Sequence, residues 1–214
     1  MDRTQAFESA LKLAPGQTAL LVVDMQRAFL DPGEAMEVPA ARDIVPQIQS
    51  LLALFRGQGL PVIFTEFTYA ETVPLLVGHL HPEHRRAAAG APRGFGRPSS
   101  SCLLGEANVH VVPDLAPRAD ELVVTKHYYD GFNGTPLDQA LRARGITHLV
   151  LTGVATDGVV EGTARDGADR GYAIVIPEDC CVGTTEEAHR VLLGGILSFL
   201  ATVCRADEVI QALA

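Results

Sequence analysis

Short aliphatic and β-branched runs alternate along this chain with stretches in which apolar residues recur every three or four positions. Thr18–Val23, Leu60–Thr65, Glu121–Thr125, His148–Thr152, Tyr172–Ile176 and Phe199–Val203 read as strands. The unbroken apolar run Ala19-Leu20-Leu21-Val22-Val23 marks a strand covered on both faces, as parallel sheets require. Ile44, Ile48, Leu51, Leu52 and Phe55 follow helical spacing, so the pattern predicts a helix over Ile44–Phe55. Leu137–Ala143, Asp157–Arg170, Thr185–Leu197 and Ala206–Leu213 are the other expected helices, with Gly145 and Gly171 placed as C-terminal stops. Strand–helix alternation implies right-handed crossovers. The expected fold is α/β: a three-layer, doubly wound sheet of six mainly parallel strands with helices on both faces. No internal repeat or second-domain boundary is visible, so residues 1–214 are expected to form a single domain.

The rhythm breaks over Thr68–Pro117, which is rich in Pro, Gly, His and Arg. Connections this long inside a domain are usually lids or binding loops, or carry short helices of their own. Glu83–Ala89 reads as such a helix, and the segment is expected to take part in substrate selection and oligomer contacts. His79, His81 and His84 form an H-x-H-x-x-H cluster whose ligand types suit a transition metal, but surface or lid histidines are the commoner use, and no metal is expected. Arg85, Arg86, Arg93 and Arg97 offer charge for a carboxylate substrate; for most of them solvation is the expected role.

Composition narrows the function classes. Of 214 residues, 47% are hydrophobic and 20% charged, as in ordinary packed domains. A chain of this length buries roughly 70% of its unfolded surface and needs no staple. The net charge of −9 is scattered, which argues against a nucleic-acid partner, since that calls for a basic stripe. The start Met1-Asp2-Arg3-Thr4-Gln5 lacks a signal-peptide pattern, and no apolar run approaches the roughly 20 residues that span a bilayer. Cys180 and Cys181 are adjacent, whereas Cys102 and Cys204 lie far apart; reduced thiols in a cytoplasmic protein are expected.

In open α/β sheets ligands bind beyond the carboxyl ends of the strands. Asp24 closes the first strand, Lys126 follows the third, and Thr156–Val159 follows the fourth. Three positions distant in sequence therefore converge on one small-molecule pocket. Phe29, Glu66, Phe67, Tyr69, Tyr129 and Phe132 flank its expected mouth as substrate-binding candidates, each of which serves equally well as core or rim.

The segment Thr152-Gly153-Val154-Ala155-Thr156-Asp157-Gly158-Val159-Val160-Glu161-Gly162-Thr163-Ala164-Arg165-Asp166 resembles the signature TGVATxxCVxxTARDA of the isochorismatase-like cysteine hydrolases. Asp24 and Lys126 match the other two members of that family's triad, and the resemblance runs from about Thr18 to Ala212. It implies a thiolate in the first turn of a helix, where free N–H groups lower its pKa and can hold an oxyanion. It also implies Asp24 as the proton acceptor, Lys126 as its charge partner, and a cis peptide at Val154-Ala155. Val159 stands where the family carries cysteine. Valine has no lone pair and no proton, so covalent catalysis at that position is excluded. Cys180 and Cys181 follow the fifth strand toward the same sheet end, but a buried structural role is the better reading of both.

The resemblance also offers a precedent without cysteine. Isochorismatases of siderophore and phenazine pathways cleave a vinyl ether with the Asp as general acid. In contrast, Phe132-Asn133-Gly134-Thr135 and Ala155-Thr156-Asp157 are similar to the amidohydrolase branch. Nicotinamidase relatives bind metal through Asp-x-His after the second strand, a pattern missing from Thr65-Glu66-Phe67-Thr68-Tyr69. Three readings stay open: a hydrolase working by Asp24–Lys126 acid–base chemistry, an amidohydrolase for a small amide or ureido substrate inactivated by Val159, and a non-catalytic binding protein. No cofactor is implied, and a homo-oligomer, dimer or tetramer, is the family habit.

Overall fold

The computed structural model describes residues 11–69 and 101–214. Its sheet grows outward from the apolar run Thr18–Val23, which forms strand β1 and is buried at every position. The other strands are β2 (Val62–Phe67), β3 (Leu122–Lys126), β4 (His148–Val154), β5 (Ala173–Pro177), β6 (Cys181–Val182) and β7 (Ala201–Cys204). Their order is β3-β2-β1-β4-β5-β7, with β6 beside β4, and every pairing is parallel. Among the described residues the sheet has seven strands, the six expected and the short β6. A two-residue strand is too short to show any periodicity, which is why β6 is invisible in the sequence.

Helix α1 (Arg27–Leu30) is a single turn, followed by α2 (Val45–Gly57). Helices α3 (Leu137–Ala143), α4 (Glu161–Asp169), α5 (Glu186–Gly194), α6 (Leu197–Leu200) and α7 (Ala206–Leu213) complete the chain. Ile48, Leu51, Leu52 and Phe55 of α2 join Val209 and Leu213 of α7 in the apolar cluster on one face of the sheet. Leu137, Leu141, Ala164, Leu193 and Leu197 gather in the cluster on the other. Each helix therefore buries one apolar stripe, the arrangement that amphipathic spacing dictates.

Most boundaries shift by one or two residues from the sequence pattern, and three departures have a local cause. β2 begins two residues late, after Pro61, and runs on through the polar Thr65 and Glu66 because tertiary partners satisfy both side chains. The helix expected over Thr185–Leu197 divides into α5 and α6 at Gly195, where a Cβ would lie 2.6 Å from the Val191 carbonyl oxygen. The helix expected from Asp157 starts as a π-type turn, Thr156–Val160, kinked at Asp157, before α4 proper. Gly145 and Gly171 take φ values of 67° and 90°, the left-handed conformation of helix stops.

The expected helix at Glu83–Ala89, the cluster His79, His81 and His84, and Arg85, Arg86, Arg93 and Arg97 lie outside the described residues. The last part of the long connection is described, and it packs across the carboxyl ends of β1 and β2. Val111 bridges to Gln26 and Leu103 to Tyr69. Among the described residues no helix is long and apolar enough to cross a membrane.

Candidate active site

Asp24 is the first residue beyond β1 and is fully buried. It takes φ 49°, a left-handed conformation that aspartate tolerates better than most residues. Its backbone N–H reaches the carbonyl and hydroxyl oxygens of Thr65, each at 3.2 Å, and the Thr65 hydroxyl in turn donates to Asp24 Oδ1 at 2.6 Å. The register of β1 against β2, with Val23 opposite Thr65, puts these two residues side by side.

Lys126 ends β3 and is 1% exposed. Its Nζ lies 2.7 Å from Asp24 Oδ2, donates to the Tyr128 carbonyl at 3.0 Å, and sits 5.0 Å from the centre of the Phe67 ring. A carboxylate, a carbonyl and a ring face thus surround a buried ammonium, which would otherwise be very costly to desolvate. Burial pushes the Asp24 pKa above the ordinary carboxylate value. Lys126 and the Thr65 hydroxyl pull it back down, and nearby Glu66 adds to the rise.

The wall opposite comes from β4. Gly153 runs alongside Val23 with φ 121°, and a Cβ there would sit 2.0 Å from the Val23 carbonyl oxygen. Only glycine lets β4 pass this close to the strand that presents Asp24. The Val154-Ala155 peptide that follows is cis. The Ala155 carbonyl then accepts from Gly158 and Val160, shaping the turn that holds Val159. Val159 is 7% exposed and belongs to the same apolar cluster as Val23 and Leu151.

The flanking candidates separate. Phe67 and Tyr69 are buried in edge-to-face contact at 4.9 Å, Phe29 packs against the cluster they form, and Phe67 covers Lys126. Tyr129 is 38% exposed and its ring faces Gly158, 3.6 Å from where a Cβ would be. Glu66 is turned to the 110–111 segment: its Oε1 accepts the Val111 N–H at 3.1 Å and lies 3.4 Å from His110 Nδ1. Phe132 is placed elsewhere, stacked on Tyr172 at 5.7 Å with Arg170 over its ring at 5.1 Å, beside α4. It packs as core because Tyr172 stands just before β5, at the sheet's amino end.

Several positioning groups escape the sequence pattern. Thr65 looks like any strand threonine until the register places it against Asp24. Gln26 is fully buried; its Nε2 donates to the carbonyls of Phe67 and Val109 at 2.9 and 2.6 Å, and its Oε1 accepts the Phe67 N–H at 2.8 Å. It therefore fastens the ends of β1 and β2 to the long connection. The four cysteines are buried and unpaired. Burial pushes Cys102, Cys181 and Cys204 up to about 12 and Cys180 higher still; Asp24 raises Cys102 further, against Lys126. None is poised as a thiolate. Among the described residues no group of three His, Cys, Asp or Glu side chains is arranged to hold a metal.

The buried Asp–Lys pair at the ends of β1 and β3 lies within the region that a family profile for the isochorismatase domain matches, residues 18–208. The chain belongs to the isochorismatase family. This family is one of hydrolases, and solved relatives share its fold. A cysteine hydrolase from Pseudomonas syringae pv. phaseolicola 1448A is 27% identical, with 95% of each chain covered and a TM-score of 0.82. An isochorismatase family protein from Burkholderia thailandensis is 31% identical over 96% of this chain and 99% of its own, with a TM-score of 0.74. N-carbamoylsarcosine amidase from Thermoplasma acidophilum is 31% identical over 89% of this chain and 97% of its own, with a TM-score of 0.71.

Proposed function

We propose that this isochorismatase-family protein is a hydrolase of a small molecule that works through Asp24 and Lys126 by proton transfer, with no covalent intermediate at position 159. The observation that carries this reading is the buried pair itself, Asp24 Oδ2 to Lys126 Nζ at 2.7 Å, in a chain whose position 159 is a buried valine. Burial favours the protonated carboxyl, which can then donate to the bond being cleaved. Once the proton has left, Lys126 and the Thr65 hydroxyl stabilise the carboxylate that remains. Opposing pulls of this kind let one carboxyl serve as acid and then as base. In this reading, N–H groups of the Thr156–Val160 turn other than the two that donate to the Ala155 carbonyl would hold developing negative charge, and Phe67, Tyr69 and Tyr129 would supply apolar walls.

A second reading rests on the likeness to the Thermoplasma acidophilum amidase, which favours a C–N bond as the substrate class. In that case the pocket is an amidohydrolase pocket silenced by valine. The two readings part in one experiment, in which the chain, its Asp24→Asn variant and its Val159→Cys variant are assayed on vinyl ethers, amides and ureido acids. Turnover by the unmodified chain that is lost in Asp24→Asn supports proton-transfer catalysis. Turnover only in Val159→Cys supports the silenced amidohydrolase. Ligand binding without turnover in any form rejects both in favour of a binding protein.

A further inference from the structure

Thr156 opens the turn that carries Val159 and is fully buried, and its hydroxyl oxygen lies 2.8 Å from Nδ1 of His189 on α5. A second tie joins the same two segments. The Asp157 carboxylate accepts the Thr184 N–H at 2.8 Å and the Thr184 hydroxyl as well. α5 is fixed in its turn by its own cap, the Ala188 N–H donating to Thr185 Oγ1 at 3.1 Å. The chain makes room for the imidazole at Gly183, where a Cβ would meet His189 Cβ and the Thr185 carbonyl oxygen at 3.0 Å. His189 also lines a cavity of about 360 Å³ with Glu178, Arg190 and Leu193, so its ring is open to proton exchange.

We propose that His189 is a positioning residue for the candidate site: its unprotonated Nδ1 accepts the Thr156 hydroxyl and thereby holds the turn that carries position 159. This inference rests on the proton-transfer reading of the site. In the required tautomer Nε2 carries the hydrogen and Nδ1 accepts. Protonation places a hydrogen on Nδ1 and converts it from acceptor to donor, so the Thr156 hydroxyl can no longer donate to it and must turn to accept instead, which changes how the turn is held. Burial of the ring opposes that charge and lowers the His189 pKa, while Glu178 at the end of β5 and Asp157 in the turn pull the other way. Arg190 shares the cavity wall, and Glu186 and Glu187 stand in the first turn of α5.

Two variants test this. His189→Asn keeps an acceptor oxygen near the place of Nδ1 but does not titrate, and His189→Leu keeps neither property. For an active chain we expect His189→Leu to lower kcat about tenfold or more with KM little changed. His189→Asn should restore most of the rate and abolish the fall in rate on the acid side of pH 6.5, the ordinary histidine value.

A second readout needs no turnover: the same substitutions placed in Val159→Cys, with the added thiol alkylated by iodoacetamide across the pH range. With His189 present, the alkylation profile should show an inflection at mildly acidic pH that His189→Asn lacks. His189→Leu should slow alkylation about fivefold or more. Alkylation rates and pH profiles that are the same in all three forms overturn the inference, whatever the activity assays give. A clear alkylation effect in a chain that turns over nothing keeps the inference that His189 positions the turn and rejects the catalytic reading instead.

Discussion

Thr65 and Asp24 hold each other from both directions. The Thr65 hydroxyl donates to Asp24 Oδ1 at 2.6 Å, while the Asp24 N–H points back to the Thr65 carbonyl and hydroxyl oxygens at 3.2 Å. With the Lys126 ammonium 2.7 Å from Oδ2 as an ion-pair partner, each oxygen of a carboxyl that water does not reach has its own polar neighbour.

Thr65→Val removes one of those donors at nearly constant volume. A buried carboxylate oxygen left without its partner costs about 1–3 kcal/mol, readable as a lower urea midpoint. Because the Thr65 hydrogen bond lowers the Asp24 pKa, its loss should move the Asp24 titration to higher pH, as followed by the carboxyl carbon's NMR shift. A titration that stays put would show that the hydroxyl does not bear on the acid.

Lys126→Met removes the main pull that holds the Asp24 pKa down, so the buried carboxyl should titrate at higher pH and the fold should lose about 1–3 kcal/mol in denaturant unfolding. The double variant Asp24→Leu/Lys126→Met removes both charges and should regain most of that loss, since apolar replacement of a whole buried pair is often neutral or better. Equal destabilisation of the single and double variants would mean that the two residues are not energetically coupled.

Gly153→Ala forces a Cβ to within 2.0 Å of the Val23 carbonyl oxygen at φ 121°. Neither strand can yield without moving Asp24, so we expect a loss above about 3 kcal/mol or failure to fold. A thermal melt within a degree of the parent would contradict the close approach of β4 to β1.

Arg56 and Glu121 form a half-hidden bidentate pair at 2.7 and 2.8 Å. Burial alone would lift the Glu121 pKa, but hydrogen bonds from Arg56 and the Arg118 N–H outweigh it and hold the carboxyl below its usual 4.5. A depressed folded-state pKa gives stability that is present above the unfolded value and is lost as pH falls through the folded one. Glu121→Gln should therefore cost about 1–2 kcal/mol at neutral pH, and the difference should vanish in acid. A gap that is unchanged at pH 3 would assign the effect to packing.

Val159→Cys should add a single fast thiol. The four native cysteines are buried and held as thiols, whereas a sulfur in the first turn of a helix has its pKa lowered. Titration with a disulfide reagent under native conditions should count about one rapid group in the variant and essentially none in the parent. Equal counts would show that position 159 is closed to the pocket.

Much of this was legible in the chain. The unbroken apolar run of β1 announced a strand buried on both faces, and helical spacing marked α2, α3 and α7 to within two residues. Asp24 and Lys126, each at a strand end, were expected to converge because a parallel sheet aligns its carboxyl ends, and they meet at 2.7 Å. Phe132 was misplaced for a reason that periodicity cannot reveal: a loop aromatic belongs to whichever cavity the neighbouring helix leaves open, here the one beside Gly167 and Tyr172.

The sequence by itself determined the layered α/β architecture, the family signature and the absence of sulfur at position 159, since these depend on local spacing and on residue chemistry. Only the tertiary structure decided that Thr65 holds Asp24, that Gln26 binds both the end of β2 and the long connection, and that His189 reaches Thr156. Those contacts join positions about 30 to 80 residues apart, such as Gln26 and Val109 at a separation of 83. A side chain's partner at that distance is set by strand register and helix packing, which no local pattern encodes.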